Sequence, residues 1–341
     1  MFFYIMPYIF IVFMALMSYK VRSSGYKVLF FIGLIPFALL VALRGEVGTD
    51  TNAYIKLLSN SIYELKENNS GLEPFFLMII YLKNYFELNS QLVLNVFSLF
   101  ILLVLFIFFL KTKHRFFIFS LLIFPIFIYD MSMNGVRYGM AFALSCFFIA
   151  ESKEKLYKIN NNKFIYFLSL LNHKTAILFY FFKNAQSASI KNFFIICLIM
   201  IIGFFVLQEY MVDKFSLYSE YSSPSIFSGV QPLFLTFLVL MANSYFYSQN
   251  LKRNIYLLII QLIFYIITQV SYAGIRFQFL ELFYILVILV NDDGKIRKYK
   301  LYLLVLFFIG FLGLLFRLKN FNDESGIGLS PFIPYKFFWE K

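Results

Sequence analysis

Apolar runs of roughly 15–20 residues recur along the whole chain, separated by short polar breaks. That period is the signature of helices that cross a bilayer, because about 20 apolar residues at 1.5 Å each match the hydrocarbon thickness. Ten runs read as full spans: 1–18, 28–43, 91–110, 116–129, 138–151, 192–207, 232–247, 255–270, 277–291 and 301–316. Two apolar pieces do not fit. Pro74–Phe86 is short, contains Lys83 and lies between Glu73 and Glu87, so it is expected to be interfacial or re-entrant. Phe164–Phe182 is long enough to cross but carries Asn172-His173-Lys174 in its middle. A charge at the bilayer centre costs about 3 kcal/mol or more, so this piece is expected to be a broken helix or re-entrant hairpin, its tip outward. The strict alternation of a membrane β-barrel is absent.

Composition agrees with this pattern. The 341 residues are 61% hydrophobic and 22% aromatic, and mean hydropathy is +0.77. The chain reads as one integral membrane domain over 1–341, with outer loops at 44–73 and 208–231. The N-terminus lacks the basic segment and small-residue cleavage site of a signal peptide, and is expected to be the first span. Net charge is +12, which raises the question of nucleic acid. Its distribution answers that question. With the N-terminus outside, the inner loops 19–27, 111–115, 152–163, 183–191, 248–254 and 292–300 hold 18 of the 30 Lys and Arg, and few of the acidic residues. Basic residues therefore mark the cytoplasmic side and attract anionic lipid headgroups, and no nucleic-acid partner is expected.

This topology gathers a polar set on the outer face. Arg44, Glu46, Gly48, Thr49, Asp50 and Tyr54 follow the second span. Asp130, Asn134 and Arg137 lie between two later spans, His173 and Lys174 at the helix break, and Arg276 and Glu281 at the start of the ninth span. Three arginines at helix ends suit an anionic ligand, since a guanidinium presents a planar fork of donors to phosphate oxygens. The competing explanation is a set of side chains snorkelling to headgroups. Asp50 and Glu46 are candidates for a general base or for sugar-hydroxyl acceptors. Thr49-Asp50 also resembles a helix N-cap, a structural use of the same residues. Tyr54 offers an aromatic face to a sugar ring. His173, in an apolar run, is a candidate for proton transfer. His114 sits in a basic inner loop, and Cys146 and Cys197 lie in apolar runs as packing residues. No P-loop, dinucleotide-binding glycine motif, nucleophile elbow or metal-ligand spacing occurs, and no cofactor or metal is expected.

The stretch Arg44-x-x-x-Gly48-Thr49-Asp50-x-x-x-Tyr54 resembles the signature of the EpsG/Wzy-type polysaccharide polymerases. Asn134-Gly135-Val136-Arg137-Tyr138-Gly139-Met140-Ala141 is similar to that family's Arg-Gln-x-x-Ala helix start, with Tyr138 where the family usually has Gln. His173-Lys174-Thr175-Ala176, Arg276-Phe277 and Pro334-Tyr335 resemble further elements in the same order. The resemblance implies a glycosyltransferase of the bacterial inner membrane that joins oligosaccharide repeat units carried on undecaprenyl pyrophosphate into O-antigen or capsule chains, at the periplasmic or outer face. It implies a fold like the C-type lipid-dependent glycosyltransferases (GT-C), and a chain-length regulator and a flippase as partners. On that reading Arg44, Arg137 and Arg276 bind the diphosphate, with Glu46, Gly48, Thr49, Tyr54 and Asn134 around the substrate. His173, then Asp50, is the candidate base. The alternative is a flippase for the same lipid-linked sugars, which would line a central cavity with charge and show paired repeats.

Overall fold

The computed structural model describes residues 1–21, 24–60, 72–150, 159–187, 224–225, 227–247, 251–291, 298–323 and 330–340. Among these residues the chain is helical, and its sole strand-like feature is an isolated bridge between Arg44 and Phe337. Among the described residues six helices are long and apolar enough to cross a membrane: Phe2–Lys20, Gly25–Ala42, Ser90–Phe109, Leu251–Val270, Ala273–Asn291 and Tyr299–Phe321. The protein is a multi-pass membrane protein. These six match the predicted spans 1–18, 28–43, 91–110, 255–270, 277–291 and 301–316. The predicted spans 138–151 and 232–247 correspond to shorter helices, Val136–Ile149 and Val230–Phe246. The predicted span 192–207 lies outside the described residues, as does most of the loop 208–231.

The described chain divides into two compact units, Met1–Ala176 with Gly310–Lys341, and Ile177–Ile309. In the first, α1 (Phe2–Lys20) packs along α2 (Gly25–Ala42). Next come α3 (Thr51–Ser59), α4 (Pro74–Tyr85) and α5 (Ser90–Phe109). At 12 residues, α4 is about 18 Å long, too short to cross, as its length and Lys83 predict. Asn89 caps α5 by accepting from the N–H groups of Gln91 and Leu92.

The region predicted as span 116–129 departs from a regular α-helix. A six-residue α6 (Lys113–Ile118) runs into wide π-type turns over Phe119–Ile128 and again over Asp130–Asn134. Its side chains from Phe119 to Ile128 are all buried. The second half of the C-terminal helix lies against it. A Cβ added at Gly310 would stand 1.6 Å from the Leu121 carbonyl oxygen, so only glycine permits this approach. Two turns on, Arg317 pairs with Asp130. Asp130, expected among the outer polar residues, is therefore held by an ion pair of the bundle.

At Gly135 the chain turns into α7 (Val136–Ile149), which packs against α8 (Ile159–Asn172). Ser145 and Ser169 join their hydroxyls at 2.7 Å across that contact. The predicted break falls where the polar triplet lies. Helix α8 stops at Asn172, His173 is non-helical, and a 3₁₀ turn covers Lys174–Ala176.

The second unit opens with α9 (Ile177–Ser187), followed by α10 (Val230–Phe246), α11 (Leu251–Val270) and α12 (Ala273–Ile288). Helices α11 and α12 form a hairpin through Ser271 and Tyr272. Helix α13 (Tyr299–Asp323) begins in this unit and ends in the first. Glu281, expected near the outer rim, is fully buried in the third turn of α12, and neither carboxylate oxygen has a hydrogen-bond partner.

Candidate functional site

The loop Leu43–Asp50 is shaped from two sides. The C-terminal segment pairs with it like an edge strand. Gly45 N–H donates to the Lys336 carbonyl at 3.0 Å, Phe338 N–H to Leu43 at 3.0 Å, and Gly48 N–H to Pro331 at 2.9 Å. From below, Gln91 Nε2 and Asn95 Nδ2 donate to the Arg44 carbonyl at 2.9 and 2.8 Å. Gly48 has φ +109°, and a Cβ there would lie 2.4 Å from the Met133 carbonyl oxygen. Both facts require glycine at this position.

The turn after Gly48 is tied to the Asp130–Asn134 segment. Asn134 Oδ1 accepts from the Thr49 hydroxyl at 2.6 Å and from the Asp50 N–H at 3.0 Å. Thr51 donates its hydroxyl to the Val47 carbonyl at 2.5 Å. Asp50 occupies the N-cap position of α3, as predicted, but its side chain does not cap the helix. Its carboxylate is exposed and accepts a single long contact, from Thr49 at 3.3 Å. The structural use that competed for this residue is therefore not made. Glu46 is exposed on the same loop.

Arg44 is not at the surface. It is 0% exposed, and its Nη1 donates to the Ser132 carbonyl at 3.1 Å. Its Nε and Nη2 have no hydrogen-bond partner. Burial pulls its guanidinium down to about 10, while Tyr335, Tyr4 and Tyr54 act in the opposite sense. It stays charged at neutral pH, and among the described residues no carboxylate pairs with it. Its hydrogen bond to Ser132 offsets most of the burial cost, and two donor groups remain for an anion.

Arg137 stands on the first turn of α7. Its Nη1 donates to Glu73 Oε2 at 2.6 Å, and its guanidinium lies 5.7 Å from the Tyr54 ring and 5.6 Å from Phe76. Burial works against its charge, but Tyr54 and Glu73 outweigh that and the net shift is upward. Burial raises the Tyr54 phenol, with Arg137 opposing. Glu73 is buried at the N-cap of α4, where the N-terminal helix dipole favours a carboxylate. Its second oxygen, Oε1, stands 3.9 Å from His173 Nε2. His173 Nδ1 accepts from the Thr175 N–H at 3.3 Å and lies 2.7 Å from the Thr175 hydroxyl. A ring nitrogen that accepts a backbone N–H carries no proton, so the neutral imidazole carries its proton on Nε2, facing Glu73.

Three separate parts of the chain thus meet at one carboxylate: the Glu73–Pro74 helix start, the α7 start with Arg137, and the broken helix with His173. Asp50, Tyr54, Thr49 and Asn134 complete the group around them. Of the residues predicted from sequence, Arg44, Glu46, Gly48, Thr49, Asp50, Tyr54, Asn134, Arg137 and His173 all belong to the first unit. Arg276 belongs to the second, exposed on the first turn of α12. Tyr138 is half-buried, with its ring 5.3 Å from Phe142. Sequence reasoning missed Glu73, which it treated only as the border of a short apolar piece. The Glu-Pro helix start was the available signal.

Beside this group the outer face of α4 carries an apolar groove of about 660 Å³, lined by Pro74, Leu77, Met78, Tyr81, Leu82, Asn84 and Tyr85. Pro74 directly follows Glu73, so the groove starts where the polar group ends.

A family model described as the EpsG family matches residues 27–337. No curated protein and no solved structure matches the chain.

Proposed function

The chain belongs to the EpsG family, and from that premise we propose that it is a polysaccharide polymerase, a glycosyltransferase joining undecaprenyl-pyrophosphate-linked repeat units into O-antigen or capsule chains. It would work at the outer face of the bacterial cytoplasmic membrane, with a flippase delivering the units and a chain-length regulator as partner. A GT-C-like arrangement of about ten spans belongs to the same proposal. The observation that supports it most is the convergence of Arg137, His173 and Tyr54 around Glu73 beside an apolar groove, with Asp50 near enough to act on the Tyr54 phenol. A polyprenyl diphosphate has that same division into a charged head and an apolar tail.

In this reading the tail lies along α4 and the diphosphate meets the open edge of Arg137. Arg44 supplies a fixed positive field from beneath. Tyr54 faces a sugar ring, and Glu46 and Thr49 accept from sugar hydroxyls. A hydroxyl of the acceptor unit attacks the anomeric carbon of the donor. The bond from that carbon to the diphosphate oxygen breaks, and its electrons leave with undecaprenyl pyrophosphate. The hydroxyl proton passes to a base. Asp50 suits that role better than His173. Its carboxylate is exposed and does not cap its helix, whereas His173 has Nδ1 occupied and its proton on Nε2. His173 acts as a donor instead.

The test is chain length on a gel. Arg137→Ala is expected to leave single repeat units on the lipid acceptor. In a flippase, the same change would prevent any unit from appearing outside. A wild-type ladder from Arg137→Ala would refute the assignment.

A further inference from the structure

We propose that Glu73 is a specificity-determining residue, a resident carboxylate that occupies the anion position of the site and must yield Arg137 to the incoming diphosphate. This rests on the proposed role of Arg137. Glu73 Oε2 takes the Arg137 Nη1 donor at 2.6 Å, and its Oε1 faces the Nε2–H of His173 at 3.9 Å. Beyond these contacts the Glu73 carboxylate makes no other described hydrogen bond. Both cationic or donating groups of the site therefore point at a carboxylate rather than at solvent. The carboxylate is almost fully enclosed, while the side chains of Arg137 and His173 are each 25% exposed. An approaching anion meets those two edges first and competes for them with Glu73.

The arrangement has two consequences. Without substrate, Glu73 balances Arg137 and keeps the guanidinium against the Tyr54 and Phe76 rings. With substrate, the like charges of Glu73 and the diphosphate lower affinity, so that the spent carrier leaves. A like charge at this range shifts an anion's equilibrium by about tenfold or more. That penalty grows with the charge of the ligand, so Glu73 weighs more heavily on a diphosphate than on a monophosphate and limits the preference between them.

The sign of the effect separates this from a structural role. The full-length chain in lipid nanodiscs is titrated with farnesyl pyrophosphate, farnesyl phosphate and farnesol. Glu73→Gln keeps the size and a hydrogen-bond acceptor but removes the charge. It is expected to bind farnesyl pyrophosphate about tenfold more tightly, to widen the preference over farnesyl phosphate, and to leave farnesol binding unchanged. Glu73→Asp keeps the charge but withdraws it from Arg137, and is expected to tighten binding by a few-fold; it serves if the Gln variant does not fold. Equal or weaker binding of farnesyl pyrophosphate by the folded variant overturns the proposal. Arg137→Ala distinguishes the two levels. If it weakens diphosphate binding while Glu73→Gln does not tighten it, only the role of Glu73 fails. If Arg137→Ala changes nothing, the reading of the site fails with it.

Discussion

Arg44→Met separates a functional charge from a structural one. The guanidinium is enclosed, and burial lowers it from the ordinary arginine range to about 10. Folding with the charge on therefore costs roughly 3 kcal/mol at neutral pH, at about 1.4 kcal/mol per pH unit. Against this stands one charged hydrogen bond, Nη1 to the Ser132 carbonyl, contributing about 1.5–3 kcal/mol. The two nearly cancel. Methionine fills a similar volume without charge, so thermal unfolding of the purified variant in detergent should change by no more than about 2 kcal/mol. Polymer formation should nevertheless fall by at least about 100-fold, because the fixed field beneath the diphosphate is gone. The pH dependence has a definite sign. From about 10 up to the ordinary arginine value the folded state releases this proton more readily than the unfolded state, so wild-type stability gains relative to Arg44→Met as pH rises through that window. A loss of more than about 3 kcal/mol would make Arg44 a keystone of the fold, and an intact polymer ladder would remove it from the chemistry. Either result refutes the reasoning.

Gly48→Ala puts a Cβ 2.4 Å from the Met133 carbonyl oxygen at φ +109°. The backbone strain alone is worth about 1–3 kcal/mol, so a lower unfolding temperature and loss of polymer are expected; an unchanged unfolding temperature contradicts the loop geometry. Asp50→Asn should reduce repeat-unit transfer by about 10²–10⁴-fold with unchanged stability, while His173→Gln, which keeps a donor, should cost less. If His173→Gln is the more damaging of the two in single-turnover transfer, the assignment of the base to Asp50 is wrong.

The sequence pattern announced those features that depend on local composition. Long apolar runs became helices such as Ser90–Phe109, and three polar residues in an apolar run located the break at His173. Features set by distant partners left no periodic trace. The C-terminal segment closes on Gly45 and Gly48 across nearly the whole chain, and nothing in 330–340 alone predicts that. The burial of Arg44 follows from this closure, so an arginine that reads as a rim residue becomes an enclosed one. The π-type turns of 119–134 escaped for a related reason: their apolar side chains suit any buried helix, and the glycine that makes room for the neighbour, Gly310, lies in another helix.

The motif itself divides along the same line. Gly48, the Thr49 hydroxyl proton and Asn134 Oδ1 are used up by the join between loop and bundle, through a positive φ and two bonds to Asn134 Oδ1. Their spacing therefore records a structural requirement. Asp50 differs: its N–H serves the join while its carboxylate remains available. Chemistry is thus expected from those residues of the motif whose functional atoms the fold leaves unspent, Asp50 and the open edge of Arg137. Glu73, which no motif contains, is the group that keeps Arg137 in reserve.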